Sequence, residues 1–220
     1  MYTWNFRVLW EYRVVFYRGA IVTLELTFLS VGLALGLGLT VGIARLSKYR
    51  WLSVPASAYV EFLRDTPLLV QMIWVFYCLP ILTDIKLDAF WASVLAISIH
   101  MSAYVAEVFR AGIASIERGQ SEAAKVLGMS YRQIMRRIVL PQAIRRMLPP
   151  FVNQFADILK LTSLASVLAV GELLHSSTDL IINTFRPLEV YTFLAIAYFV
   201  LIFPVAFAAR RAEVYLARRI

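Results

Sequence analysis

The sequence predicts an all-α, polytopic membrane protein of about five transmembrane helices. Its apolar content, its uncharged runs and the distribution of its cations predict this. Apolar residues make up 60% of the 220-residue chain and mean hydropathy is +0.71. Soluble domains hold about 45–50% apolar residues, so the surplus belongs in lipid. Four runs supply spans or near-spans: 21–44 with Glu25 as its one charge, and 66–83, 90–105 and 191–209 with none. A span needs about 20 mostly apolar residues. A fifth candidate, 148–174, carries Asp157, Lys160 and Glu172. Charges at membrane depth are costly and usually face a bundle interior or a water-filled path, so this segment reads as a lipid-depth element, discontinuous in part.

The cations set the orientation. Five spans with the N-terminus outside place 15 Lys and Arg on the inner side and 5 on the outer side, with Arg64 and Lys160 inside segments. That asymmetry obeys the positive-inside rule, and the inverted chain violates it. The expected topology is therefore multi-pass, N-terminus outside and C-terminus cytoplasmic. The net charge of +8 is spent on topology and does not call for a nucleic-acid partner.

Each segment follows from its composition. Residues 1–18 mix seven aromatics with three Arg, suiting a short amphipathic helix in the interface, where Trp and Tyr are enriched. They have neither the apolar core nor the small-residue cleavage pattern of a signal peptide. The first span carries Gly32/Gly36 and Gly38/Gly42, pairs whose spacing lets helix backbones approach closely. In 61–71, Glu61 and Arg64 are spaced to pair on a helix face. Pro67 suits a first turn or a kink, and Gln71 sets an amide in an apolar helix. The single cysteine, Cys78, lies in a span and allows no internal disulfide.

The polar stretch 110–146 holds eight basic and two acidic groups on a regular apolar repeat. It reads as two short amphipathic helices broken at Gly128. Ser130 caps the second, Gln133 completes a capping box, and Pro141 is expected to end it. A loop that only joined spans would need none of this. In the following segment Asn153, Asp157 and Lys160 share a helix face. Asp157 and Lys160 either neutralise each other or belong to a polar patch on a central path.

The residues Ser102-Ala103-Tyr104-Val105-Ala106-Glu107-Val108-Phe109-Arg110-Ala111-Gly112-Ile113 lead into Gly119-Gln120-Ser121-Glu122-Ala123-Ala124 and Gly128. Thr66-Pro67-Leu68-Leu69-Val70-Gln71 stands upstream; Leu148-Pro149, Asn153 and Lys160-Leu161-Thr162-Ser163-Leu164 stand downstream. Together these resemble the permease subunits of type I polar amino acid ABC importers, over about residues 19–213. The resemblance implies one transmembrane permease domain, 1–220, with a cytoplasmic coupling loop at about 111–146. It implies two partner ATPase subunits, a second permease subunit (identical or homologous), an extracytoplasmic solute-binding protein and an amino acid substrate. By the same match Gly119, Gln120, Glu122, Ala123, Ala124 and Gly128 are expected to dock on the ATPase. Gln71, Asn153, Gln154, Asp157, Lys160, Leu161, Thr162 and Ser163 are the substrate-path candidates.

The sequence departs from the family pattern at three places. Position 65 is Asp where the family often has Gly. Gln154 and Leu161 stand where members that move basic amino acids carry acids. Losing both removes the attraction that offsets desolvation of a cation, so this subunit is not expected to form an Arg- or Lys-selective pocket by itself.

No P-loop pattern is present, so ATP and Mg are expected on the partner, with no catalytic residue and no cofactor in this chain. Two His and one Cys give poor metal-ligand supply. An ion-coupled secondary transporter is the alternative, but such proteins often carry repeats and broken midplane helices, and no repeat is visible. A membrane enzyme lacks a nucleophile–base constellation.

Overall fold

A computed structural model describes residues 2–217. Arg218 and Arg219, counted above among the inner cations, lie outside the described residues. A short helix α1 (Arg7–Glu11) meets the long first span, α2 (Arg13–Arg45). After a turn come α3 (Arg50–Asp65), α4 (Leu68–Ile73) and α5 (Leu79–Thr83), the last two joined by a π-helical turn over Trp74–Cys78. The central helix α6 (Ala89–Ala114) follows, then α7 (Arg118–Val126) and α8 (Tyr131–Ile134). A second π turn, Met135–Val139, joins α8 to α9 (Leu140–Leu161), which tightens into a 3-10 turn over Thr162–Leu168. The chain ends with α10 (Leu173–Thr184) and α11 (Pro187–Ala217). Among the described residues, three helices are long and apolar enough to cross a membrane, or up to five if each of two bent pairs is one span. The bends measure 104° between Arg50–Asp65 and Leu68–Thr83, and 47° between Tyr131–Leu168 and Leu173–Thr184.

α6 is the hub. It packs against α2, α3, α4 and α9, and its face is lined by small residues, among them Ala92, Ala96, Ser98, Ser102, Ala103 and Ala106, all buried. The glycines of α2 divide by neighbour. A Cβ on Gly38 would sit 2.5 Å from Val105 Cβ and 2.7 Å from Ser102 O; one on Gly42 would meet Phe109 at 3.0 Å. Gly32 and Gly36 have nothing within 4 Å, so close packing within the subunit holds for one pair and not the other.

Four local expectations change. The amphipathic helix expected over 1–18 is only α1, because α2 already begins at Arg13. Pro141 does not stop a helix. It sits in the first turn of α9, immediately after a π turn, whose wider winding removes the clash between the proline ring and the preceding turn. Pro80 likewise follows the π turn at Trp74–Cys78. The helix that carries the segment expected from 148 begins eight residues earlier, at Leu140, and its discontinuity is the 3-10 turn and left-handed Ala169, φ 58°. Arg64 does not pair with Glu61; its guanidinium lies 5.5 Å from the Tyr104 ring centroid.

Two polar knots tie the far ends together. Buried Glu172 caps α10 by accepting from Leu174 N (2.9 Å) and His175 N (2.7 Å), and accepts from Tyr198 Oη (2.9 Å) on α11. Buried Glu189 accepts from Tyr2 Oη and from Asn5 N at 2.8 Å, and Arg186 donates to Thr3 O at 2.8 Å. The N-terminal segment is thereby fastened to the start of α11.

Candidate functional site

The loop between α6 and α9 folds around its own apolar cluster. Ile116, Ala124, Ile134, Val139, Ala143 and Met147 are buried in it. α7 stops where Gly128 adopts φ +76°, a conformation that costs L-residues about 1–2 kcal/mol. Ser130 then begins α8 through a complete capping box: Gln133 N donates to Ser130 Oγ at 3.4 Å and Ser130 N to Gln133 Oε1 at 2.8 Å. Gln142 Nε2 donates to Gln120 Oε1 at 2.6 Å, pinning α7 to α9. Arg146 on α9 donates to the carbonyl of Ser115, just past the end of α6.

The six residues expected to couple fall into two groups. Ala124 and Gln120 face inward, to the cluster and to Gln142, while Gly128 shapes the turn. Glu122, Ala123 and Gly119 are exposed. Beside them the tip presents Val126 (88% exposed), Leu127 (81%) and Tyr131 (70%). Val126 and Leu127 belong to the apolar repeat of 110–146, which does not foretell their outward aim. Gly119 has no positive φ and nothing within 4 Å of an added Cβ, so no contact of this chain requires glycine there.

The path candidates do not form one cluster. Gln71 spans the bend between α3 and α4: its Nε2 donates to Leu63 O (3.0 Å), Thr66 O (3.3 Å) and Thr66 Oγ1, and its Oε1 lies 3.2 Å from His100 Nδ1. It supplies partners to carbonyls that the broken helix leaves open. On α9, Asn153, Asp157 and Lys160 are exposed on one face, and Lys160 Nζ pairs with Asp157 Oδ1 at 3.0 Å. Gln154 faces elsewhere, onto an apolar cavity of about 520 Å³ shared by α2, α6, α9 and α11, with its Oε1 buried and without a hydrogen-bond partner. Leu161 packs beside the main core, Thr162 is buried and donates to Leu159 O at 2.8 Å, and Ser163 donates to Lys160 O at 2.8 Å. His100 was missed as Gln71's partner because 29 residues separate the two and the bend that joins them is tertiary. Among the described residues no group of three or more His, Cys, Asp or Glu could hold a metal ion.

A bundle of apolar helices long enough to span a membrane, with an ordered helix–turn–helix at one end, is the architecture of a multi-pass membrane protein. Residues 32–220 match the family described as the binding-protein-dependent transport system inner membrane component, and the chain belongs to that family. The probable glutamine ABC transporter permease GlnP of Bacillus subtilis is 40% identical over 211 residues, 93% of this chain and 94% of that one. The octopine transport system permease OccM of Rhizobium radiobacter is 37% identical, over 90% of this chain and 84% of that one. A crystal structure of an amino acid ABC transporter with histidines contains a chain of the same fold, with TM-score 0.90 and 34% identity, covering 99% of this chain and 100% of that one. This chain is thus an ABC permease of the amino acid type: the membrane component, and not itself catalytic.

Proposed function

We propose that this subunit carries a polar amino acid, or a close derivative, across a bacterial inner membrane. An extracytoplasmic binding protein delivers the solute. Two ATPase subunits, which hold ATP and Mg, drive alternating access through the 111–146 loop, and a second permease, identical or homologous, completes the path. The N-terminus is outside and the C-terminus cytoplasmic. The names of its relatives, which include glutamine and octopine permeases, support the substrate class.

One observation carries this reading: the loop folds on its own buried cluster and aims apolar side chains outward. Val126, Leu127 and Tyr131 project into solvent from a tip held rigid by a buried cluster and a capping box. A short helix with an apolar face fits a groove on another protein. Exposed glycine at 119 lets a groove wall reach the backbone, and Glu122 is placed to meet a partner's cation. The exposed Asn153–Asp157–Lys160 face supports the second subunit. An ion pair at that depth needs protein or water opposite it, and Lys160 offers a cation to a substrate carboxylate. ATP binding shifts the permease only as far as its affinity differs between the two states, so the docked loop must carry the difference.

In assembled complexes, Glu122→Lys and Gly128→Asp abolish transport and weaken ATPase docking, while membrane insertion is unchanged. Full transport by both variants overturns the assignment. Ion-coupled uptake by the purified chain without an ATPase favours the secondary-transporter alternative.

A further inference from the structure

We infer that Glu107 is a positioning residue that ties α2 and α3 to α6, so that movement of the loop reaches all three helices. The inference rests on the coupling reading above. Glu107 lies two turns before the end of α6, just above the loop. One carboxylate oxygen accepts from Arg45 Nη1, at the last residue of α2. Arg110 completes the clamp from one turn below, donating from Nη2 at 2.6 Å and Nε at 3.2 Å. Arg45 in turn donates from Nε to Ser57 Oγ on α3 at 3.4 Å. Its side chain is 12% exposed, against 38% for Arg110, so the inter-helix half of the clamp is the more enclosed half.

The packing around this clamp explains why it is needed. α2 touches α6 through bare glycines at 38 and 42, and α3 through Val60 and Leu63 against Ala103 and Ala106. Such contacts resist approach. In lipid, helices are held together by close packing and by interhelical hydrogen bonds rather than by the hydrophobic effect, so the clamp adds a directional link to the packing. Alternating access requires both push and pull. On the other side of the loop, α9 has its own link, Arg146 to Ser115. Loop displacement therefore enters α6 and α9 directly, and passes from α6 to α2 and α3 through Arg45 and Glu107. A carboxylate that accepts from two guanidinium groups is a strong, directional link.

The test uses the complete complex of permeases, ATPases and binding protein in proteoliposomes, with the polar amino acid that the unmodified complex imports. Glu107→Gln and Arg45→Gln are compared with the unmodified complex; Arg45→Gln keeps the Glu107–Arg110 pair within α6 and removes the links from Arg45 to Glu107 and to Ser57 on α3. Both are expected to assemble in normal amount and hydrolyse ATP within about twofold of the unmodified rate. Amino acid moved per ATP should fall by about fivefold or more, the scale of a typical coupling free energy, with Glu107→Asp recovering part of it. An unchanged ratio in both variants overturns the inference. So does failure of both to assemble, which makes the clamp a folding element only. If the unmodified chain binds no ATPase, the coupling reading itself falls, and that result is separate from either outcome.

Discussion

The glycines of α2 and α6 and the glycine of α7 mark two kinds of surface. Gly38, Gly42 and Gly112 have neighbours of this chain inside or near contact distance of an added Cβ. The chain has completed those contacts itself. Gly119 on α7, like Gly32 and Gly36 on α2, meets open space. Each is a helical residue that costs about 0.5–1 kcal/mol relative to alanine and gains nothing within the subunit. The comparison teaches that residue type alone does not tell a glycine packed within the subunit from one that is not; occupancy of the space in front of it does.

The sharpest way to break the comparison is Gly38→Leu. Its side chain would enter Val105 and the backbone of Ser102, and overpacking a filled contact costs about 1–3 kcal/mol or more. The expected outcome is loss of folded permease from the membrane, read as yield and thermal stability in detergent; normal yield would mean that α2 and α6 are not closely packed. Next is Gly119→Leu. With open space around it, the variant folds normally, but binding of the ATPase drops by about tenfold or more, a loss of about 1.4 kcal/mol, measurable by titration of the purified partner. Gly119→Ala separates helix propensity from docking, since it stabilises α7 slightly and presents a smaller obstacle. Smallest is Ser130→Ala, which removes the α8 cap and costs about 1 kcal/mol. It should speed hydrogen exchange of 130–134 without altering the spans.

Much of the loop was legible before the structure because its signals are local. Gly128, Ser130 and Gln133 lie within six residues, and turn conformation and capping depend on little else. The shared helix face of Asp157 and Lys160 was legible from their spacing too, and the two side chains pair there. Pro141 was misread because the rule that proline ends a helix assumes an α-helical preceding turn, and a π turn relaxes that assumption. Gln71 with His100, Arg45 with Glu107 and Tyr2 with Glu189 were invisible for a common reason. Their partners are 29, 62 and 187 residues away, and no periodicity in one sequence joins positions so distant. The split of the two neighbouring alanines of α7, Ala124 inside and Ala123 outside, also required the fold, since both are alanine and adjacent.

The wide turn at Met135–Val139 has an effect well beyond its five residues. An α-helix advances about 100° per residue, and a π turn winds more slowly, so the helix after it is rotated relative to the helix before it. α8 and α9 are continuous in backbone but out of phase in azimuth. The chain can therefore aim Tyr131 and Asp157 independently along one rod. A substitution pattern read in a single helical phase across 131–161 would assign one of the two to the wrong side.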